Sequence, residues 1–227
     1  MSQFDNDSTK FMKYNANLNN YYYFTGGLSI EDINKLTKQL YDELSNNQKN
    51  ESNISKNESN QSDQPISSTI SEKLMEGNVS GIIDKTYRDS KIHWLPKNDA
   101  WNWLYAKIGT FAYKANETMW QFDISFMNEN IQYTEYEASY SGKYDWHLDF
   151  GPGVTSLRKI AIVVQLSDPA DYEGGNLQFY TNRHITDAPK EQGTVICFPT
   201  YFLHRVSPLT KGKRRSLVLW VSGNPFR

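Results

Sequence analysis

From Trp120 to the C-terminus the hydrophobic pattern repeats every second residue, and this constrains the fold more than any other feature of the chain. Eight short strands are predicted there, at 122–126, 131–136, 144–149, 159–166, 176–180, 194–198, 202–206 and 216–221. Turn signals separate them: Asn128-Glu129-Asn130, Gly151-Pro152-Gly153, Ser167-Asp168-Pro169, Glu173-Gly174-Gly175, Pro199 and Lys211-Gly212. So many half-apolar strands at such spacing suggest a closed or two-sheet β structure, here a jelly roll.

Upstream the period is helical. Ser29-Ile30-Glu31-Asp32 reads as an N-cap with an acidic residue at N3, and Ile33, Leu36, Leu40 and Leu44 follow at helical spacing. This predicts an amphipathic helix of about four turns. Trp101, Leu104, Tyr105, Ile108, Ala112, Ala115 and Met119 form a second stripe, a helix over 99–119. A short helix is expected near 70–75. Between 45 and 68 the composition turns to Asn, Ser, Gln, Lys and Glu, and Lys-Asn-Glu-Ser-Asn occurs at 49–53 and again at 56–60. With Ile54 and Ile66 as its only large apolar residues, this segment cannot offset the entropy of ordering and reads as a disordered insertion. The expected organisation is a polar tail, 1–19, and one domain, 20–227. Within it, 20–120 is helical support and 121–227 is the jelly-roll core. The fold class is α+β: a double-stranded β-helix (jelly roll) buttressed by N-terminal amphipathic helices.

A formal charge of −2 draws the chain to neither nucleic acid nor an anionic membrane. Cys197 is the only cysteine, which excludes an intrachain disulfide and a Cys-based zinc site. No secretory signal and no stretch of about 20 apolar residues is present, so a cytoplasmic protein without membrane or nucleic-acid partners is expected.

The chemistry centres on Tyr144-Asp145-Trp146-His147-Leu148-Asp149. In an extended strand His147 and Asp149 project to one face. With His204, from Phe202-Leu203-His204-Arg205-Val206, they make the two-His, one-carboxylate set of a non-haem Fe(II) oxygenase. The other histidines, His93 and His184, are read as packing or surface residues. Arg214 suits the far carboxylate of a 2-oxoglutarate cosubstrate, because a guanidinium is always charged and presents a planar fork. Ser216, two residues on, adds a hydroxyl to the same face. A solvated basic turn is the competing reading of Lys211 and Lys213.

These motifs resemble the Fe(II)/2-oxoglutarate-dependent oxygenases, in the prolyl 4-hydroxylase and procollagen-lysyl-hydroxylase-like branch. The resemblance rests on Gln132-Tyr133-Thr134-Glu135-Tyr136, Gly142 to Asp149, Gln165-Leu166-Ser167-Asp168-Pro169, Tyr172-Glu173-Gly174-Gly175-Asn176-Leu177, Phe198-Pro199 and Leu203-His204-Arg205-Val206. Tyr22-Tyr23-Phe24 with Gly26-Gly27-Leu28-Ser29 adds to it, for a coverage of roughly 20–44 and 85–223. It implies His147, Asp149 and His204 as iron ligands, Arg214 as the 2-oxoglutarate anchor, and a cosubstrate-binding tyrosine. Tyr136 is the first candidate for that tyrosine, with Tyr140 and Tyr144 as competitors, because Ala138-Ser139-Tyr140 lengthens the connection to His147. The implied reaction hydroxylates an unactivated C–H bond of a small-molecule or peptide substrate, peptidyl proline or another amino-acid-like group. It consumes O2, converts 2-oxoglutarate to succinate and CO2, and is supported in relatives by L-ascorbate. Two alternatives stay open: a non-catalytic jelly-roll binding module (a 2-oxoglutarate sensor or a cupin-like binder), and a nucleic-acid repair oxygenase.

Overall fold

The run Ile160-Ala161-Ile162-Val163-Val164 is apolar at every position because both faces of its strand are covered. Ile160, Ile162 and Val164 pack towards the helices, whereas Ala161 and Val163 face a second sheet. The computed structural model describes residues 21–52, 70–79 and 81–226. The tail 1–19 and most of the Asn/Ser-rich stretch lie outside these described residues.

Fourteen strands among the described residues form two sheets. The larger contains β1 (Tyr22–Phe24), β2 (Met75–Glu76), β4 (Lys91–Leu95), β5 (Ile124–Phe126), β6 (Ile131–Glu137), β8 (Arg158–Gln165), β9 (Tyr172–Gly174), β12 (Val195–Pro199) and β14 (Leu209–Gly223). Its main path runs β1-β12-β8-β14-β6-β4-β2, with β5 and β9 also pairing β14. The smaller sheet runs β11 (His184–Asp187), β10 (Leu177–Thr181), β13 (His204–Val206), β7 (Lys143–His147), β3 (Arg88–Asp89). Phe179, Phe198, Phe202 and Trp220 fill part of the space between the two sheets. This is the double-stranded β-helix that the strand pattern predicts.

Two helices cover the outer face of the large sheet: α1 (Ile30–Ser52) and α2 (Asn102–Met119). Leu36 and Leu40 of α1, and Leu104 and Ile108 of α2, share one core with Ile162, Val195 and Leu219. Ser29 and Asp32 cap α1 reciprocally, the Asp32 N–H donating to Ser29 Oγ (3.2 Å) and the Ser29 N–H to Asp32 Oδ2 (2.8 Å). Asp32 also pairs with Lys107 of α2, tying the helices together. Met127 lies over Gly109: a Cβ there would meet Met127 Cε at 3.0 Å, so a larger residue would require the Met127 side chain to shift. Two boundaries differ from expectation. Helix α1 continues to Ser52, into the stretch read as low-complexity. The last strand begins at Leu209, so Lys211-Gly212 is not a turn and Arg214 lies inside β14. The early part pairs with β9, and Gly212 (φ +70°) allows close approach to Asp171, whose carbonyl oxygen would be 1.9 Å from a Cβ.

The β10–β11 hairpin closes through Asn182-Arg183, both at positive φ (52° and 67°). A two-residue loop of this kind favours Asn-Gly, and an arginine there bears a left-handed cost of about 1 kcal/mol. Arg183→Gly is therefore expected to raise stability by up to about 0.5 kcal/mol, net of the added unfolded-state freedom. Urea unfolding should show a higher midpoint at unchanged slope; a lower midpoint would contradict this account of the turn.

Candidate active site

His204 on β13 lies directly across the ladder from His147 on β7, so two strands far apart in sequence present their imidazoles as neighbours. The ring centroids are 4.1 Å apart. Asp149 does not continue β7 as the sequence pattern suggested, because the strand stops at His147 and Asp149 occupies a bend. The N–H groups of Asp149 and Phe150 both donate to the Thr200 carbonyl (3.0 and 3.1 Å), which pulls the chain off the sheet. That bend aims the carboxylate at both rings: Oδ1 is 3.9 Å from His147 Nε2 and Oδ2 is 3.5 Å from His204 Nε2. The three donor atoms lie within 4.8 Å of one another, close enough to share one metal ion. Their side chains keep only 5–9% exposure.

Each imidazole has its other nitrogen occupied. His147 Nδ1 lies 2.7 Å from the Asp145 carbonyl oxygen and His204 Nδ1 2.8 Å from that of Phe202, in both cases the residue two positions earlier. A carbonyl accepts only, so Nδ1 carries the proton and the Nε2 lone pair is left for a metal. Burial, reinforced by the neighbouring His204, pushes His147 down to about 3, against the pull of Asp149. Burial alone would raise the Asp149 carboxyl, but His204, His147, the Trp220 indole and Arg158 hold it below the usual carboxylate range. Two Nε2 atoms facing an ionised carboxylate make a donor set suited to Fe(II).

The depressed His147 has a thermodynamic consequence. The unfolded chain takes up this proton near 6.5, whereas the folded protein resists it down to about 3. The unfolded state therefore binds more protons in this window. Metal-free stability should fall as the pH drops through it, by up to roughly 1.4 kcal/mol per pH unit from this group. Urea titrations between pH 7 and pH 4.5 on wild type and His147→Asn would measure the difference, and parallel pH dependences would sink the prediction.

Both histidines and Asp149 line a cavity of about 460 Å³ that also receives Arg214, Ser216, Tyr136 and Tyr144. Arg214 is 1% exposed. Its Nη2 donates to Gln165 Oε1 (2.9 Å), while Nε and Nη1 have no hydrogen-bond partner. Among the described residues it makes no ion pair. Gly175 leaves room for it, since a Cβ there would meet Arg214 Cδ at 3.2 Å. Tyr136 stands opposite Arg214 on β6, its ring 5.6 Å from the guanidinium carbon. Tyr144 stacks on His147, with centroids 3.6 Å apart and planes 14° apart, and the Arg88 guanidinium carbon lies 4.6 Å from the centre of the same Tyr144 ring. Burial raises both tyrosines, so each keeps its hydroxyl proton at neutral pH. Tyr140 sits in the short helical turn Ala138–Tyr140 and does not line the cavity. His93 contacts Glu43 (3.3 Å) and His184 is exposed on β11; neither lines the cavity.

Several residues escaped the sequence reading. Arg158 donates from Nη1 to the Asp149 carbonyl (3.1 Å), pairs through both remaining nitrogens with Glu129, and lies 3.9 Å over the Trp220 ring. Glu129 was visible only as part of a turn signal. Arg88 is held by Ser90 Oγ, the Asn78 carbonyl and Gln132 Oε1, all neutral acceptors. With Arg158 offset by Glu129, the cavity is left with Arg88 and Arg214 against Asp149 alone. That excess positive charge, with open donors on Arg214, fits an anionic ligand such as 2-oxoglutarate.

Comparison with known proteins agrees. Residues 131–222 match the family model of the 2OG-Fe(II) oxygenase superfamily. A PKHD-type hydroxylase of Teredinibacter turnerae is 34% identical over 85 residues, covering 35% of this chain and 38% of that protein. Another, from Idiomarina loihiensis, is 38% identical over 84 residues, covering 34% and 36%. The matched stretch thus spans little more than a third of these relatives. Among solved structures, a prolyl hydroxylase in complex with a hypoxia inducible factor oxygen degradation domain peptide fragment, from Trichoplax adhaerens, superposes with a TM-score of 0.67 at 15% identity, covering 91% of this chain and 85% of that one. A Pseudomonas putida prolyl-4-hydroxylase gives 0.58 at 16% identity, covering 89% and 92%. At these identities the shared property is the fold.

Proposed function

We propose that this chain, which belongs through residues 131–222 to the 2OG-Fe(II) oxygenase superfamily, is an Fe(II)- and 2-oxoglutarate-dependent dioxygenase that hydroxylates an unactivated C–H bond. One observation carries the reading: a single cavity holds both a His-Asp-His cluster and a buried arginine with open donors. His147, Asp149 and His204 would hold the metal through Nε2, a carboxylate oxygen and Nε2. The chemistry supplied by bound iron is O2 activation coupled to decarboxylation of 2-oxoglutarate to succinate and CO2.

The protein's own residues supply geometry. Arg214 binds the far carboxylate, and Ser216 and Tyr136 offer hydroxyls from the same walls of the cavity. Tyr144 braces His147, and Arg158, locked by Glu129, holds the Asp149 bend through its carbonyl. Val163, Leu177, Val206 and Trp220 line the cavity with apolar surface and limit water. Leu148 and Val154, 48% and 77% exposed, border it on the outside and offer an apolar rim to a peptide or other amino-acid-like substrate. The peptide in the Trichoplax neighbour and the hydroxylase names of the relatives support that substrate class by analogy. Cytoplasmic residence is part of the same reading: Cys197 is a buried free thiol, and no helix among the described residues is long and apolar enough to cross a membrane.

The non-catalytic alternative is disfavoured, because a binder has no use for a complete, shielded metal-ligand set beside the anion site. The test is anaerobic addition of Fe(II) and 2-oxoglutarate, followed by air. A visible absorption band and then succinate are expected, with L-ascorbate prolonging turnover. Absence of both in wild type would refute the oxygenase reading.

A further inference from the structure

The structure assigns to Gln165 the task of orienting Arg214 without neutralising it, so that the cation stays available to an anionic ligand in the cavity. This inference rests on the proposed 2-oxoglutarate reading. Gln165 ends β8, is 1% exposed, and sits beside β14 in register with Ser216. Its Nε2 donates to the Pro189 carbonyl (3.0 Å). That bond determines which way the amide faces: Oε1 must be the atom turned to Arg214, where it accepts from Nη2 at 2.9 Å. The main chain on either side is also pinned, Gln165 N–H to the Thr194 carbonyl (3.0 Å) and Gly193 N–H to the Gln165 carbonyl (2.8 Å). The amide is therefore a rigid acceptor.

Arg88 and Arg205 also have neutral partners, but Arg214 is the most deeply buried of the three. Arg158 has Glu129 and Arg215 has Glu135, whereas Arg214 has neutral neighbours, the Gln165 amide and the Tyr172 hydroxyl. No carboxylate contacts the Arg214 guanidinium among the described residues. Lys190 stands over the Tyr172 ring at 4.4 Å, bonded to the Gly174 carbonyl (3.2 Å); burial and then Arg214 lower it, while Asp187 and Glu173 act the other way. A glutamate at 165 would have the same length and could reach Nη2 equally well. It would give Arg214 an internal counter-ion, and an incoming carboxylate would have to compete with it. The amide fixes the guanidinium by one hydrogen bond and leaves its charge unspent.

Gln165 is thus a positioning residue that acts through Arg214, and a purely structural role makes a different forecast. If Gln165 only packed, Gln165→Met should impair ligand binding at least as much as Gln165→Glu. The charge-availability role predicts the reverse. The full chain, loaded with redox-silent Mn(II), would be titrated with 2-oxoglutarate by calorimetry, with Mn(II) affinity measured separately. Gln165→Glu should weaken 2-oxoglutarate about 30-fold or more, and Gln165→Met by less than about tenfold, with Mn(II) affinity unchanged in both. Should Gln165→Glu not fold, Gln165→Met still decides. Its loss should be seen with 2-oxoglutarate and not with 2-oxobutyrate, which lacks the carboxylate that Arg214 would hold. Equal losses for the two ligands, or a Gln165→Glu variant that binds like wild type, would overturn the inference. Wild type that bound no 2-oxoglutarate would instead overturn the proposed function itself.

Discussion

Replacing Arg214 with methionine is expected to stabilise the ligand-free protein while removing 2-oxoglutarate binding. The guanidinium is 1% exposed, makes one hydrogen bond to a neutral amide, and leaves two nitrogens unpartnered. A buried charge without a counter-ion opposes folding, and well-packed apolar replacements of buried charged groups stabilise by about 1–4 kcal/mol. Methionine is unbranched and flexible enough to occupy much of the vacated volume. The loss of the bond to Gln165 takes back roughly 1 kcal/mol. A net gain of about 0–3 kcal/mol would raise the unfolding midpoint by up to several degrees for a chain of this size. Binding should move the other way, by about 2–5 kcal/mol, or roughly 30-fold to several-thousand-fold. Thermal unfolding with and without 2-oxoglutarate reads both effects. A variant that lost stability and kept its ligand-induced shift would refute the view that Arg214 is retained for binding at the expense of folding.

Asp149→Ala should weaken metal binding by more than about 100-fold. Asp149 is the only carboxylate of the cluster and faces both Nε2 atoms, at 3.9 and 3.5 Å. Without it two imidazoles remain, a weaker set with no negative charge to offset that of the ion. Outer-shell partners of metal sites typically contribute 10–100-fold, so loss of a ligand should exceed about 100-fold in affinity and carry activity down with it. Arg158→Met supplies the comparison. It removes the bond to the Asp149 carbonyl and strands Glu129, and should fall within the roughly 10–100-fold range. Fe(II) or Mn(II) titration of the three proteins gives the order directly. If Asp149→Ala bound metal as well as Arg158→Met, the cluster would not be the metal site.

The residues of the cluster were legible in the sequence for specific reasons. Few histidines were available, His147 and Asp149 were two apart, and Arg214 opened an apolar stretch in an otherwise basic run. The means by which Asp149 reaches the cluster was not legible. Strand alternation put it on the face of His147, but the chain bends there because Thr200, fifty residues on, accepts two N–H bonds. The choice among three tyrosines stayed open for a similar reason. Tyr136 and Tyr144 reach the cavity and Tyr140 does not, because the turn at Ala138–Tyr140 takes Tyr140 out of the strand alternation.

The sequence by itself determined the period-two core, the two helical stripes that cover one sheet, and the residue types of the cluster, because those properties repeat locally or sit within a few residues of one another. Only the tertiary structure decided that His147 and His204 are ladder partners, that Glu129 neutralises Arg158, and that Gln165 faces Arg214 with its oxygen. Each of these depends on the register between strands or loops remote in the chain. A shift of one residue would turn every side chain to the opposite face, and nothing local in the sequence states that register.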